Sequence, residues 1–302
     1  MIHLYAIALC IDEAYLLPGL VTLTSVANSL TSKARSELAI RVLAQDLTRS
    51  HVDVLANYCK LLGFGSFDLK WCWPASGSII VEGDYISTTT YLRFQLTPEF
   101  VGRPYLIYLD ADVLVFDDIS APLGSLNGRQ LGAVRDEFNF TVGECLALPG
   151  LVAERPHLHG SPYYNADAVW MYSSLMPEIA TGVGVALTNE RRFIHHNDQD
   201  VLNLWLLANN EAIPLPGRFN RFELDRFLEE SDWVRLVVKR DLVSCDTSML
   251  HFVGPTKPWH DSCPPTKGVR LYRSQMREVE RILRRLGVLS INVEGAGKRG
   301  SV

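Results

Sequence analysis

The stretch YLIYLDADVLVFDD, residues 105–118, constrains the architecture more than any other part of this 302-residue chain. Pro104 to Leu109 is an apolar run of strand length; Asp110 and Asp112 follow, and then a second apolar run, Val113 to Phe116. In an extended backbone, residues i and i+2 project to the same side. Both carboxylates therefore leave the carboxyl end of a strand together, which is where open α/β sheets place ligands. Two hard oxygen donors on one side suit Mg²⁺ or Mn²⁺, with diphosphate oxygens completing the shell. Asp is also common in turns for backbone reasons, so the tripeptide alone leaves a turn and a metal site both open. Asp117 and Asp118 read as turn or cap residues.

The rest of the pattern supports an α/β fold. Ile2 to Ile11 is almost continuously apolar and predicts a buried, parallel strand. Asp12 and Glu13 open a polar turn. Tyr15 to Leu30 predicts a helix with Pro18 near its start, where a missing N–H costs little. Leu38 to Leu43 predicts a strand, Ser50 to Leu62 a helix ending at Gly63, and Phe67 to Trp73 a third strand. Strand and helix alternate, as in α/β proteins. Further along, Tyr85–Leu96 and Gln199–Ala208 predict helices, and Ala168–Tyr172, Val234–Val238 and Ser248–Val253 predict strands. The middle, Leu123 to Ser161, is richer in Gly, Pro and mixed polar residues.

Composition narrows the function. Hydrophobic residues make up 47% and charged residues 21%, which excludes a long disordered protein. The net charge of −5 argues against broad nucleic-acid binding, which is driven chiefly by phosphate neutralisation. The six cysteines form no C-x-x-C pair and are irregularly spaced. They fit reduced thiols in a cytosolic protein better than a zinc site or disulfide framework. The first residues lack the basic start of a signal peptide, and no apolar run reaches the ~18 residues of a membrane span.

Three more segments carry polar residues in apolar or helix-start contexts. In LHFVGPTKPWH, His251 sits in a strand pattern, Gly254 allows close backbone approach, and Lys257 is a point charge suited to a diphosphate. Alone, His251 reads as a packed core histidine and Lys257 as a surface lysine. In HNDQDVLN, Asn197 reads as an N-cap with Asp200 three residues on, which needs no catalytic explanation. In YYNADAVWMY, Asn165 and Ala166 precede a strand and read as loop residues. Arg93, on the expected helix of ISTTTYLRFQL, reads as a surface arginine.

Taken together and in order, IALCIDEAYLLPGLVTLTSV, ISTTTYLRFQL, YLIYLDADVLVF, YYNADAVWMY, HNDQDVLNLWL, LPGRFNRF and LHFVGPTKPWH resemble the family 8 retaining glycosyltransferases. That family includes glycogenin and bacterial lipopolysaccharide galactosyl- and glucosyltransferases. The resemblance covers roughly residues 2 to 260. It implies a GT-A fold, with a Rossmann-like nucleotide-binding half merged with an acceptor-binding half in one catalytic domain. It implies a UDP-glucose or UDP-galactose donor, a saccharide or lipid-linked saccharide acceptor, and Mn²⁺, with Mg²⁺ as the alternative ion. It implies that Asp110, Asp112 and His251 bind the metal. Arg93, Ala111, Asn165, Ala166, Gly254 and Lys257 would contact the donor. Asp198 would hydrogen-bond sugar hydroxyls, and Gln199 would place its carbonyl near the anomeric carbon. Asp167 stands where the family often has Gly. Some members have an acidic residue near Cys10 that contacts uracil, a role left here to Asp12. The competing readings are a nucleotide-sugar-binding protein without turnover and a metal-dependent nucleotide-sugar hydrolase.

The character changes near the end, so the expected division is a catalytic domain over 1–267 and a basic C-terminal segment over 268–302. Arg270, Arg273, Arg277, Arg281, Arg284 and Arg285 lie among Met276, Val279, Ile282, Leu283 and Leu286. This reads either as a terminal helix docked on the domain or as a basic amphipathic helix on an anionic membrane surface. The resemblance favours the second, and hence a cytoplasmic protein peripheral to the inner face of the membrane. Gly295 to Val302 is Gly-rich and basic and predicts a disordered tail.

Overall fold

The computed structural model describes residues 4–73, 88–126, 130–144, 146–209, 212–225 and 246–288. The expected strand Val234–Val238, the tail from Gly295, Tyr85 to Ser87, and Cys145 and Cys245 lie outside the described residues. In chain order the elements are β1 (Tyr5–Ile11), α1 (Leu16–Ser29), α2 (Ser32–Glu37), β2 (Ala39–Ala44), α3 (Arg49–Leu62) and β3 (Ser66–Trp71). Then come α4 (Pro98–Val101), β4 (Tyr105–Leu109), β5 (Val113–Val115), β6 (Leu131–Arg135), α5 (Leu151–Glu154), β7 (Tyr164–Tyr172) and α6 (Met176–Asn189). The last are α7 (Asn197–Asn209), β8 (Ala212–Leu215), β9 (Arg221–Phe222), β10 (Met249–His251) and α8 (Lys267–Arg285).

A seven-stranded sheet in the order β3-β2-β1-β4-β7-β6-β8 forms the frame. All its pairings are parallel except those of β7, which runs against both β4 and β6. A small sheet, β5-β10-β9, stands beside it. This is the expected α/β architecture.

β1 shows why the first apolar run folds as it does. Tyr5, Ile7, Leu9 and Ile11 enter one core, while Ala6, Ala8 and Cys10 enter the core on the opposite face. Burial on both faces removes the need for polar alternation. α1 is equally enclosed, with Leu16 to Ala27 buried, because the sheet covers one side and α8 the other. Its polar residues hold the strand beyond. The Thr22 hydroxyl sits 2.9 Å from Ala111 O and 3.0 Å from Val113 O, and Ser25 Oγ accepts from Val115 N at 3.0 Å. The Asp112 turn is thus pinned from beneath.

At three points the structure goes beyond or differs from the sequence reading. The segment around Arg93 is a 3-10 helix, Thr88–Gln95, not an α-helix. Its tight turns let Thr89, Leu92 and Arg93 all be buried against the sheet. The middle of the chain does carry a strand, β6, whose short run LGAVR is flanked by loop residues that masked it. The apolar side of α8 packs on the domain: Val269, Tyr272, Val279 and Leu283 are buried in the core shared with α1. That side is therefore not free to enter a lipid surface. Among the described residues no helix is long and apolar enough to cross a membrane. The described cysteines, Cys10, Cys59, Cys72 and Cys263, are all buried and form no disulfide.

Two glycines on α6 should respond oppositely to alanine. A Cβ at Gly182 would lie 2.2 Å from Trp205 Cδ1, whereas at Gly184 it would meet nothing within 4 Å. Gly182→Ala should therefore destabilise by about 1–3 kcal/mol through overpacking. Gly184→Ala should stabilise by up to ~1 kcal/mol by helix propensity. Urea unfolding of the two variants beside the parent measures both signs.

Candidate active site

Asp110 follows β4 directly, and its N–H donates to Asp167 O at 2.8 Å across to β7. Asp112 opens β5, which pairs antiparallel with β10 so that Val113 faces His251. This pairing delivers the histidine to the carboxylates. His251 Nε2 lies 3.3 Å from Asp112 Oδ1 and 3.6 Å from Asp167 Oδ2. Lys257 arrives from the loop after β10, past Gly254 at φ +79°, and is itself buried. Its Nζ donates to Asp112 Oδ2 at 2.5 Å and to Phe252 O at 2.9 Å. Burial alone would raise the Asp112 carboxyl, but Lys257 and His251 outweigh it and hold it well below the usual carboxylate range.

Arg93 is the second organiser. Its side chain is only 4% exposed, and Nη2 reaches Asp110 Oδ1 at 2.9 Å and Asp198 Oδ2 at 3.0 Å. Nη1 donates to Ala166 O at 2.6 Å, and the guanidinium lies 4.2 Å over the Tyr108 ring. Tyr108 donates its hydroxyl proton to the same Asp110 Oδ1 at 2.7 Å. Burial would favour loss of the Arg93 proton, but Asp198, Tyr108 and Asp110 overcome it and keep the group charged.

α7 supplies the third group. Its first turn is built by Asp200, whose Oδ2 accepts from His195 N and His196 N, both at 2.6 Å, while Oδ1 accepts from Tyr163 Oη at 2.6 Å. His196 O accepts from Gln199 N and Asp200 N, so the turn begins one residue before Asn197. Asn197 is consequently not the N-cap that the spacing predicts; it sits at φ +48°, a left-handed position that Asn tolerates better than most residues. The turn presents Asp198 to Arg93 and Gln199 to β7. Gln199 Oε1 accepts from Asn165 Nδ2 at 2.8 Å and from Ala166 N at 3.2 Å. Its Nε2 donates to Asp136 Oδ2 at 3.2 Å and to Tyr163 Oη at 3.3 Å, which fixes the amide's direction. Asn165 Oδ1 accepts from Asn220 Nδ2 at 2.7 Å and from Asp167 N at 3.0 Å.

These groups line one cavity of about 1070 Å³ at the carboxyl ends of β1, β4 and β6. That is at the upper end for a small-molecule site. Asp110, Asp112, Asp136, Asp167 and Asp198 face it, while Arg93 stands behind its wall and Lys257 on it. The crowding is visible in the titration of its acids. Burial raises Asp110 well above an ordinary carboxyl, only partly opposed by Arg93 and reinforced by Asp167 and Asp112. Burial, offset in part by Arg93, leaves Asp167 pushed up to about 6, with Asp198 adding to the rise. Ligand atoms of Asp110, Asp112 and His251 lie within 4.8 Å of one another, and Asp112 Oδ1 is buried without a hydrogen bond. Two carboxylates and an imidazole are a donor set that fits a divalent ion such as Mn²⁺.

The structure thus brings Arg93, Asp110, Ala111, Asp112, Asn165, Ala166, Asp198, Gln199, His251, Gly254 and Lys257 to one cavity or its immediate wall. His251 and Lys257 are neither inert core nor free surface, and Arg93 is buried rather than on the surface. Asp167, noted only for replacing a small residue, points its carboxylate at Asn165 Nδ2, 2.9 Å away. Sequence reasoning passed over Asp136, Tyr163, Tyr108 and Asn220. Asp136 had a usable signal: an acid directly after an apolar strand, the same arrangement that marks Asp110. Asp12 accepts from Tyr15 N at 3.0 Å and from Thr89 Oγ1 at 3.2 Å at the edge of the cavity.

The mixed sheet, the small second sheet and a trio of candidate metal ligands at the strand ends match the GT-A glycosyltransferase fold. More narrowly, the chain belongs to glycosyl transferase family 8, whose family model matches residues 6–263. It is 25% identical over 270 residues to a lipopolysaccharide 1,2-glucosyltransferase of Escherichia coli, covering 83% of this chain and 72% of that protein. It is 29% identical over 188 residues to a lipopolysaccharide 1,3-galactosyltransferase of Salmonella typhimurium, covering 57% of this chain and 49% of that one, about half the relative's length. Among solved structures, galactosyltransferase LgtC in complex with donor and acceptor sugar analogs matches with a TM-score of 0.70 at 22% identity. That match covers 90% of this chain and 95% of LgtC and is a likeness of fold.

Asp112→Asn removes a charged donor while keeping its shape. It should weaken Mn²⁺ binding by more than the roughly tenfold that loss of an outer-shell partner costs, with the circular dichroism spectrum unchanged. Equilibrium dialysis of Mn²⁺ against both proteins checks this.

Proposed function

We propose that the protein is a retaining hexosyltransferase that moves glucose or galactose from a UDP-sugar to a saccharide hydroxyl of lipopolysaccharide or another surface glycan. The observation that carries this reading is the meeting of three parts in one cavity. They are a divalent-ion trio, the buried Lys257 beside it, and the Gln199 carbonyl held in direction by Asn165, Ala166, Asp136 and Tyr163. The family and the lipopolysaccharide glucosyl- and galactosyltransferases among its relatives support the substrate class.

In this reading Asp110, Asp112 and His251 hold Mn²⁺, with Mg²⁺ as the alternative, and the ion supplies charge neutralisation to a departing diphosphate. Lys257 adds a second positive charge on the same side, exchanging its bond to Asp112 for diphosphate oxygen. Gly254 gives the backbone room to approach that group. Asp12 and Thr89 border the space for the uracil, and Asp198, Asn165 and Ala166 the space for the sugar. Reaction breaks the bond between the anomeric carbon and the β-phosphate oxygen and forms one to the acceptor oxygen. The acceptor's proton passes to the departing diphosphate. Retention fits departure and attack on the same face, since a neutral amide is a poor nucleophile. Gln199 Oε1 instead stabilises the positive charge that develops at the anomeric carbon.

For location, the reading is a cytoplasmic protein held at the inner membrane face by charge. Arg270, Arg277, Arg281, Arg284 and Arg285 are exposed along α8, with Glu280 reaching Arg284 at 4.0 Å. Attraction between such a stripe and an anionic leaflet is worth roughly 1 kcal/mol per basic residue near the surface. The triple variant Arg277→Glu, Arg281→Glu and Arg284→Glu should lose salt-sensitive co-sedimentation with phosphatidylglycerol vesicles and keep its fold. Undiminished binding by that variant overturns the membrane reading.

A panel of UDP-sugars with Mn²⁺, followed by UDP release and thermal shift, tests the donor. Stabilisation by UDP-glucose or UDP-galactose and acceptor-dependent UDP release are expected; release of free sugar without an acceptor would show a hydrolase instead. Gln199→Ala should lower kcat by roughly 10²–10³, the scale of one lost electrostatic stabiliser. UDP affinity should stay close to the parent's. Single-turnover rates beside UDP titration calorimetry separate the two.

A further inference from the structure

The arginines of α8 are not one set. While Arg277, Arg281, Arg284 and Arg285 face solvent, Arg273 turns inward to the loop that follows Lys257. That loop is two consecutive turns, His260 N to Lys257 O at 3.0 Å and Cys263 N to His260 O at 3.0 Å. Its carbonyls at Pro258, His260 and Cys263 converge. Arg273 Nε donates to Pro258 O at 2.9 Å, and Nη2 donates to His260 O at 2.8 Å and Cys263 O at 3.1 Å. One planar fork thus closes three backbone acceptors, a geometry that an ammonium does not reproduce.

Apart from a hydrogen bond from Arg270 Nη1 to Pro265 O at its far end, the other contacts between α8 and this loop are packing contacts. Trp259 packs on Tyr272 with ring centroids 5.7 Å apart and edge-on to Tyr15 at 5.6 Å. Yet the Trp259 Nε1 and Tyr272 Oη atoms are buried without any hydrogen-bond partner. Aromatic packing of this kind holds a distance but sets no backbone direction; within the loop, Lys257 N donates to His260 Nδ1 at 3.4 Å. Lys257 is the residue at the head of the first turn, and its Nζ must stay within reach of both Asp112 and Phe252 O.

We infer that Arg273 is a positioning residue: by fixing the carbonyls of Pro258, His260 and Cys263 it sets where the Lys257 ammonium stands in the cavity, and so how well the site grips a nucleoside diphosphate. This rests on the reading of Lys257 as a diphosphate contact. It makes α8 part of the donor site and not an appended segment.

The test is a double-mutant cycle in the full-length protein, read as UDP affinity by calorimetry in saturating Mn²⁺, well below the melting temperatures of all variants. Lys257→Ala and Arg273→Ala should each weaken UDP by about tenfold, the scale of an outer-shell partner's effect. If Arg273 acts through Lys257, Arg273→Ala adds no further loss once Lys257 is alanine. Arg273→Lys, which keeps the charge and the stem, folds more readily than the alanine variant and should still lose affinity severalfold. Retained UDP affinity in a folded Arg273→Lys or Arg273→Ala protein, or losses that simply multiply in the double variant, overturns the inference. Unchanged UDP affinity in Lys257→Ala instead overturns the diphosphate reading itself, so the two failures are told apart.

Discussion

One buried guanidinium carries much of this architecture. Arg93 comes from a 3-10 turn and binds the end of β4 through Asp110, the start of β7 through Ala166 O, and the first turn of α7 through Asp198. None of those elements adjoins another in sequence. A charge taken out of water is costly unless it is paired and hydrogen-bonded. Here the compensation requires all these partners at once, so the fold and the site are held by the same contact. Removing the arginine would leave Asp110 and Asp198 as unpaired acids in a cavity already crowded with carboxylates.

The same double duty appears under the Asp112 turn. Thr22 and Ser25 are polar residues on an otherwise enclosed helix, and both direct their hydroxyls to the backbone around β5. β5 in turn selects the register of β10 and so the position of His251. Beyond β10, the Lys257 loop is fastened by α8. The site is therefore reached through a chain of supports that runs from the first helix to the last.

Much of this was legible in the sequence because the signals were local. β1, α1, β2, α3, β4 and β5 follow from apolar runs and glycine or polar punctuation. Asp110 and Asp112 follow from i, i+2 geometry. Other parts were hidden for physical reasons. A 3-10 helix has the composition of an α-helix, so Arg93 read as a surface residue until its burial was seen. His195 and His196 gave no hint that their N–H groups would be gathered by Asp200. β6, LGAVR, has a glycine at its second residue and a charged residue at its last, so it did not stand out among loop residues, and Asp136 disappeared with it. The spacing of the arginines of α8 puts them on one side of the helix, yet the loop over residues 258–263 lies against Arg273 and leaves Arg277, Arg281 and Arg284 outside.

The reversed strand β7 has a consequence for how this protein can change. Because it runs against β4, its first residues stand opposite the last residues of β4, with Leu109 paired to Ala168 and Asp110 bonded to Asp167 O. Asn165 and Asp167 share one face, and Ala166 has the other. A slip of one residue would leave both strands buried and apolar, but would exchange the amide and carboxylate for a methyl group. For β7, hydrophobic content is therefore a poor guide to correctness. The count of residues from Tyr164 onward is therefore as much an inherited specification of the cavity as the identity of any side chain in it.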